Sequence, residues 1–144
     1  MRSFLFPDVN VWVALTYEAH VHHTSAKQWF ELLHPEARLF FCRFTQFGLL
    51  RLLTTESVMG SEEVMSQSSA WETYDRWLAD ARVSFAAEPP ALETAFRAQA
   101  RMRHPGPRDW ADSYLAAFAL VSDFTLVTFD QALHRKVKNV LLLK

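Results

Sequence analysis

Residues 3–10 read Ser-Phe-Leu-Phe-Pro-Asp-Val-Asn, and this stretch decides the fold. Its apolar part, residues 3–6, is short and rich in aromatic side chains, and it ends at Pro7 and Asp8. This pattern predicts a buried strand with polar residues at its carboxyl end. A helix is predicted to follow from residue 9 to about residue 17. A strand that leads directly into a helix is the repeating step of an α/β protein.

The same step recurs along the chain. Further strands are predicted at residues 38–42, 82–86, 124–128 and 139–143. Further helices are predicted at residues 24–33, 45–54, 70–80, 88–102, 109–121 and 130–136, with a polar connection at 55–69. Because the strands are apolar runs rather than alternating patterns, helices must cover both faces of the sheet. We therefore expect a three-layer α/β/α sandwich with a central parallel sheet, formed by residues 1–144 as a single domain.

Composition narrows the class of protein. The chain has 144 residues, half of them hydrophobic, and 15 basic against 16 acidic residues. This balance argues against a disordered chain or one wrapped continuously around nucleic acid, but it allows a local basic patch. Cys42 is the single cysteine, which excludes an intrachain disulfide. Pro7 and Asp8 interrupt the first apolar run, so we expect no signal peptide or membrane span and a soluble, cytoplasmic protein.

Three aspartates stand at the ends of predicted elements. Asp8 follows the first strand and Asp130 the fourth, which places both at one edge of a parallel sheet. Asp112 lies in the opening turn of the helix at 109–121. The order of elements along the chain does not decide at which edge of the sheet this helix begins, but Asp112 shares a helix face with small alanines. Each carboxylate alone fits a helix cap or a favourable charge at a helix start. Together they are costly to cluster unless a cation neutralises them, and oxygen ligands favour Mg²⁺ or Mn²⁺.

Four segments resemble those of PIN-domain ribonucleases, and among these the VapC-type toxins of bacterial toxin-antitoxin pairs. The segments are FPDVN at 6–10, TQFGLLRLLT at 45–54, DWADSYLAAFA at 109–119 and LVTFD at 126–130. Each is weak alone, but their order and spacing are specific, and the resemblance covers nearly the whole chain.

The resemblance implies a function. It places Asp8, Asp112 and Asp130 around one divalent cation, as catalytic and metal-binding residues, and implies hydrolysis of RNA by a water that the cation activates. It also implies a homodimer and a cognate antitoxin with a segment that covers or enters the acidic groove.

One departure from the family pattern concerns the helix after the second strand. Family members commonly carry a glutamate there, at the position of Gly48. Gln46 is a neutral candidate to orient a water or phosphate in its place, or else a solvated residue at the helix start. Asp109, three residues before Asp112, is a candidate for the missing carboxylate and equally for a helix cap.

Further polar residues are candidates for supporting roles. Asn10 is expected to bind substrate or a water, and Thr128 to hold a carboxylate or a water. Arg51 is expected to contact phosphate or neutralise the acidic pocket, although an arginine on a leucine-rich helix is commonly a surface residue. A basic patch that fits an RNA backbone, or a solvated loop, is formed by Arg101, Arg103, His104 and Arg108.

Two other functions compete with a ribonuclease. A small phosphatase of the haloacid dehalogenase type is suggested by Asp8-Val9-Asn10, which superficially resembles an Asp-x-Asp motif, although the second aspartate is missing. A non-catalytic interaction module that kept the fold is suggested by Gly48. Metal titration of the purified protein separates this module from the enzymes.

Overall fold

The computed structural model describes residues 3–144, in which five short strands pair in parallel to form one sheet. The strands are β1 (Phe4–Pro7), β2 (Arg38–Phe41), β3 (Val83–Phe85), β4 (Thr125–Thr128) and β5 (Val140–Leu142). Their order across the sheet is β3-β2-β1-β4-β5, with Leu5 opposite both Leu39 and Thr125. The five predicted strands and their parallel arrangement are therefore confirmed.

Helices connect the strands. They are α1 (Val9–Thr16), α2 (His23–Glu31), α3 (Arg43–Leu53), α4 (Glu56–Glu63), α5 (Gln67–Leu78), α6 (Leu92–Gln99), α7 (Asp109–Ser122) and α8 (Gln131–Lys136).

Each face of the sheet has its own hydrophobic core. On one side Trp12 of α1 stacks on Phe41 of β2, with ring centroids 3.9 Å apart, among side chains of α1 to α5. On the other side Phe6 of β1 stacks on Phe118 of α7 at 5.0 Å, among side chains of α6 to α8. Because neighbouring residues of a strand point to opposite faces, apolar strands of this kind need both cores. The predicted three-layer sandwich is confirmed.

The segment at 55–69 differs from its prediction as a polar connection. It contains α4, and α5 begins at Gln67 with Ser66 as its N-cap, whose Oγ accepts from the backbone N–H of Ser69. Met59 of α4 is 2% exposed, and its carbonyl accepts from the hydroxyl of Tyr17 at 3.1 Å. One buried anchor is enough to dock a short helix whose other residues are polar, and this signal is too weak to read from periodicity.

The helix predicted at 88–102 is shorter than expected, since α6 covers only Leu92–Gln99. Within residues 3–144, no helix is long and apolar enough to cross a membrane.

Candidate active site at the carboxyl edge of the sheet

Asp8 stands where β1 ends and α1 begins. Its Oδ1 accepts from the backbone N–H of Val9 at 2.7 Å, and its Oδ2 accepts from the hydroxyl of Thr128 at 3.0 Å. The side chain is only 8% exposed. Burial raises the pKa of Asp8 to about 6; the two hydrogen bonds oppose this increase, and the negative charges of Asp112 and Asp130 add to it.

Thr128, the last residue of β4, connects two of the acids. Its buried hydroxyl donates to Asp8 and accepts from the backbone N–H of Asp130 at 3.0 Å. Asp130 is in turn the N-cap of α8, with Oδ1 accepting from the backbone N–H groups of Ala132 at 2.8 Å and Leu133 at 3.3 Å. One hydroxyl therefore links the carboxylate of Asp8 to the backbone of Asp130, just after the neighbouring strand.

Asp112 comes from a helix and not from a strand end. It is the fourth residue of α7 and half-buried. Its pKa is raised by burial and then by the negative charge of Asp130, while Lys136 lowers it and Asp109 raises it. The charge of Asp112 raises the pKa of Asp8, and the charge of Asp130 raises the pKa of Asp112. The start of α7 therefore lies at the carboxyl edge of the sheet, near both acids. The structure thus brings Asp8, Asp112, Asp130 and Thr128 together.

The donors fit a hard divalent cation, although they do not surround one. Within residues 3–144, no three His, Cys, Asp or Glu side chains are arranged closely enough to hold a metal ion by themselves. The pKa values of Asp8 and Asp112 are raised mainly by burial and further by neighbouring carboxylates, so positive charge is favourable at this edge. Magnesium in proteins commonly uses one or two carboxylates and keeps several waters, and it needs no closed protein cage.

Lys136 is a charged neighbour of the site that sequence reasoning missed. Its ammonium group donates to the hydroxyl of Ser113 at 2.6 Å, next to Asp112 on α7. Lys136 lies 24 residues beyond Asp112 in a helix turn that also contains His134 and Arg135. No local pattern distinguishes it from its basic neighbours, so only the packing of α8 on α7 could have identified it.

Gln46 and Arg51 occupy a different region from the three acids. Both line a groove between α3 and α5, together with Trp71. The side-chain oxygen of Gln46 accepts from Arg43 at 2.7 Å, and its amide lies beside Tyr74. The contacts of Gln46 are therefore those of a helix–helix groove, and the structure does not bring it to the acids as a replacement for the family's glutamate.

Gly48 faces α1 closely. A Cβ at this position would lie 2.6 Å from Cγ2 of Val9, well inside van der Waals contact. Since Val9 is β-branched and stiff, it cannot move aside cheaply. The absence of the glutamate is thus linked to a bulky residue directly after Asp8, a coupling that inspection of α3 alone does not reveal.

Asn10 and Asp109 lie at the margins of the site. Asn10 is exposed in the first turn of α1, where Asp8, not Asn10, is the N-cap. Asp109, the first residue of α7, is close enough to raise the pKa of Asp112. Its Oδ2 lies 2.6 Å from the position that a Cβ on Gly106 would take, so its carboxylate faces the loop before α7.

Comparisons with known proteins show what this chain is similar to. The family model described as "PIN domain" matches residues 5–139. Ribonuclease VapC41 of Mycobacterium tuberculosis is 43% identical over 131 residues, which cover 89% of this chain and 90% of the relative. Ribonuclease VapC44 of the same species is 27% identical, covering 92% of this chain and 89% of that protein.

Two solved structures have a similar fold. Mycobacterium tuberculosis VapC20, a Sarcin-Ricin loop cleaving toxin, matches with a TM-score of 0.65 and 15% identity over 91% of this chain and 93% of that one. VapBC2 from Rickettsia felis, bound to a DNA fragment from its promoter, matches with a TM-score of 0.64 and 14% identity over 98% of this chain and 99% of that one. At these identities the likeness concerns the fold alone.

Proposed function

This chain belongs to the PIN-domain family, and on that premise we propose that it is a divalent-metal-dependent endoribonuclease acting as the toxin of a type II toxin-antitoxin pair. Its catalytic and metal-binding residues are Asp8, Asp112 and Asp130. The cation is Mg²⁺ or Mn²⁺, because oxygen donors without cysteine or histidine suit these ions.

The observation that carries the proposal is the meeting of three carboxylates from three separate elements at one edge of the sheet. Asp8 is buried with its pKa raised to about 6, and the pKa of Asp112 is also raised, partly by its acidic neighbours. Burial is the main cause of both raised pKa values, and repulsion between the acids adds to them; a site that holds charge for binding a cation carries both costs. A helix cap alone does not require three acids in one place.

The residues of the chain divide the work among them. Thr128 and the amide of Val9 hold both oxygens of Asp8, so this carboxylate is oriented before any ligand arrives. The amides at the start of α8 hold one oxygen of Asp130 and leave its other oxygen to a ligand. Such fixed acids lose little entropy on binding. A divalent cation held here supplies Lewis-acid stabilisation of the phosphodiester and lowers the pKa of water.

The partners follow from the same premise. We propose RNA as the substrate, with a water as the nucleophile, so that no covalent enzyme intermediate is required. We propose that a cognate antitoxin binds this chain and covers the acidic edge, and that the chain forms a homodimer. The R. felis relative is named as a VapBC complex, which supports an antitoxin partner for this family.

The haloacid dehalogenase alternative has lost its support, because the chain matches the PIN-domain model over residues 5–139. The non-catalytic module is the alternative that experiment must exclude, since Gly48 stands where the family commonly has a glutamate.

The decisive experiment replaces each acid by its amide. Asp8→Asn, Asp112→Asn and Asp130→Asn each remove a charge without removing volume, so the fold should persist. We expect RNA cleavage to fall by at least ~10²-fold in each variant, as for the loss of a major electrostatic stabiliser, and growth toxicity to disappear. Cleavage is measured on purified protein with added Mg²⁺, and folding by circular dichroism.

A matched control is Asp123→Asn. Asp123 is exposed beyond the end of α7 and has a left-handed backbone with φ of 56°, a conformation that asparagine adopts readily. The Asp123→Asn variant should cleave RNA like the parent. Full activity in all three site variants would disprove the site, and an inactive parent that does not bind Mg²⁺ would favour the non-catalytic module.

A further inference from the structure

A second surface lies on the opposite side of α7 from the acids. It is a groove between α6 and α7, lined by Phe96, Ala100, Arg101 and Trp110, with the paired residues Glu93 and Arg97 at one end. Trp110 is 58% exposed, and Phe96 meets its ring edge-on with centroids 6.1 Å apart. The indole is thus supported from one side and open on the other.

The loop that follows α6 makes this groove basic. Arg101, Arg103 and Arg108 are all exposed, and His104 lies between them. Arg97 is held by Glu93 at 2.9 Å, whereas Arg101, Arg103 and Arg108 form no salt bridge within residues 3–144. Arg101 lines the groove with the exposed ring of Trp110, and Arg103 and Arg108 lie in the adjoining loop. An arginine without an acidic partner beside an exposed aromatic ring favours a ligand that has both negative charge and flat, stackable surfaces.

The position of the groove relative to the acids constrains its ligand. Trp110 and Asp112 are two residues apart on α7, so their side chains project to nearly opposite sides of the helix. A helix with its side chains is about 10–12 Å across. A nucleotide on Trp110 is therefore a neighbour in sequence of the cleaved position and not the cleaved nucleotide itself.

We propose that Trp110, supported by Phe96 and flanked by Arg101, is a base-stacking subsite for a flanking nucleotide of single-stranded RNA. The inference rests on the proposed function, since it supplies a specificity surface for the same reaction. Single-stranded nucleic acids bind sites of this composition, because every base has a face that stacks and the backbone is attracted to cations. Duplex RNA offers no free base faces and should bind without help from Trp110.

A protein partner is the competing occupant of an exposed tryptophan. The unpaired Arg101 in the groove, with two further arginines in the adjoining loop, favours RNA, since a groove for an apolar helix does not need these charges. The two occupants also differ in what they predict. If Trp110 lies in a protein interface, Trp110→Ala should change the mass of the assembly in solution or its affinity for the antitoxin. If Trp110 is a stacking site, the substitution should change only the affinity for single-stranded RNA.

The test compares Trp110→Ala with Trp110→Phe and with Trp71→Ala. Trp71 is also an exposed tryptophan, at 47%, but lies on α5 in the other groove. Binding of a labelled single-stranded RNA is measured by fluorescence anisotropy in EDTA, so that the RNA stays intact. We expect roughly tenfold weaker binding for Trp110→Ala, a small loss for Trp110→Phe and no change for Trp71→Ala.

The charge is tested separately. Arg101→Gln should lower the slope of log affinity against log salt by roughly 0.7, as expected for one phosphate contact on a single strand. Lys138→Gln is the control, because it removes the same charge from an exposed residue just before the amino end of β5. This variant should leave the slope unchanged.

Cleavage assays with Mg²⁺ complete the test. For Trp110→Ala we expect KM to rise and kcat to stay within about twofold, with the difference disappearing when the RNA is shortened on one flank. Equal RNA binding by Trp110→Ala and Trp71→Ala would overturn the proposal, as would an altered mass or antitoxin affinity with unchanged RNA binding. Binding in EDTA requires no bound cation, so active Asp112→Asn protein would refute the metal site and leave this result standing. If Trp110→Ala does not fold, Trp110→Leu serves in all measurements.

Discussion

The segments after β4 and β2 both begin a helix with the help of a buried threonine, yet they serve different ends. After β4, the hydroxyl of Thr128 reaches across the sheet to Asp8 and accepts from the amide of Asp130. After β2, the hydroxyl of Thr45 stays local, accepting from the backbone N–H of Cys42 at 2.9 Å and donating to its carbonyl at 3.2 Å.

The difference shows how a strand end becomes a site. Thr45 closes the start of α3, and its contacts lie three residues away in the chain. Thr128 contacts a carboxylate 120 residues away, so its hydrogen bond orients a group that only the assembled sheet brings near. We therefore expect Thr128, at the end of β4, to control activity and Thr45, after β2, to control stability.

Removal of divalent cations should have the largest effect on RNA cleavage. Because the three acids are proposed to act through a bound cation, we expect RNA cleavage to be lost in EDTA and restored by Mg²⁺ or Mn²⁺. The β2 side should be inert: Cys42 is buried, and burial raises the pKa of its thiol, so thiol reagents should not affect cleavage. Cleavage that persists after exhaustive chelation would contradict the mechanism.

Exchanging each threonine for valine tests the two hydroxyls directly. Thr128→Val should reduce cleavage by about 10–100-fold, since it releases a group that orients a ligand. Thr45→Val should cost about 1 kcal/mol of stability through loss of the helix cap, with cleavage per folded molecule unchanged. Cleavage rates and urea denaturation of both variants measure this. Equal activity losses would show that the two threonines do not differ in role.

Asp8→Asn is expected to stabilise the metal-free protein at neutral pH. The pKa of Asp8 is about 6 when folded against 3.8 ordinarily, so the charged form is penalised above pH 6, and the penalty disappears as pH falls from 6 towards 4. The variant should therefore be more stable by about 2 kcal/mol at pH 7.5, allowing for one lost hydrogen bond, with no advantage at pH 4.

Thermal melting at both pH values, with and without Mg²⁺, checks this expectation. Added Mg²⁺ should stabilise the parent more than the variant, because only the parent keeps all its ligands. A variant that is less stable than the metal-free parent at pH 7.5 would show that the burial of Asp8 costs little.

The smallest expected effect on the site is a change in Mg²⁺ affinity when a glutamate replaces Gly48 on α3. Gly48→Glu alone should destabilise the protein by about 1–3 kcal/mol, because the new Cβ overlaps Val9. Adding Val9→Ala should relieve the overlap, and the double variant should bind Mg²⁺ roughly fivefold more tightly, the effect of about 1 kcal/mol from one further carboxylate. Calorimetric titration of the double variant against Val9→Ala measures this. Identical affinities would mean that this side of α3 does not reach the cation.

The fold was largely predictable because its signals are local. Apolar runs followed by helical patterns predicted all five strands and their parallel arrangement, and the polar residue at each strand end predicted where Asp8 and Asp130 lie. The helix at α4 could not be predicted, because it is held by the burial of Met59 against Tyr17, which is 42 residues away in the chain. Local propensity does not record such contacts.

The candidate site was predictable in its acids and not in its surroundings. The sequence by itself determined three aspartates at element ends, since strand ends and helix starts are set by neighbouring residues. Only the tertiary structure decided that Asp112 faces Asp130, that Lys136 reaches Ser113, and that Gln46 belongs to another groove. It also decided that Val9 occupies the space of a side chain at residue 48. These relations depend on how helices from distant parts of the chain pack over the sheet, and packing is a property of assembled surfaces that no single segment encodes.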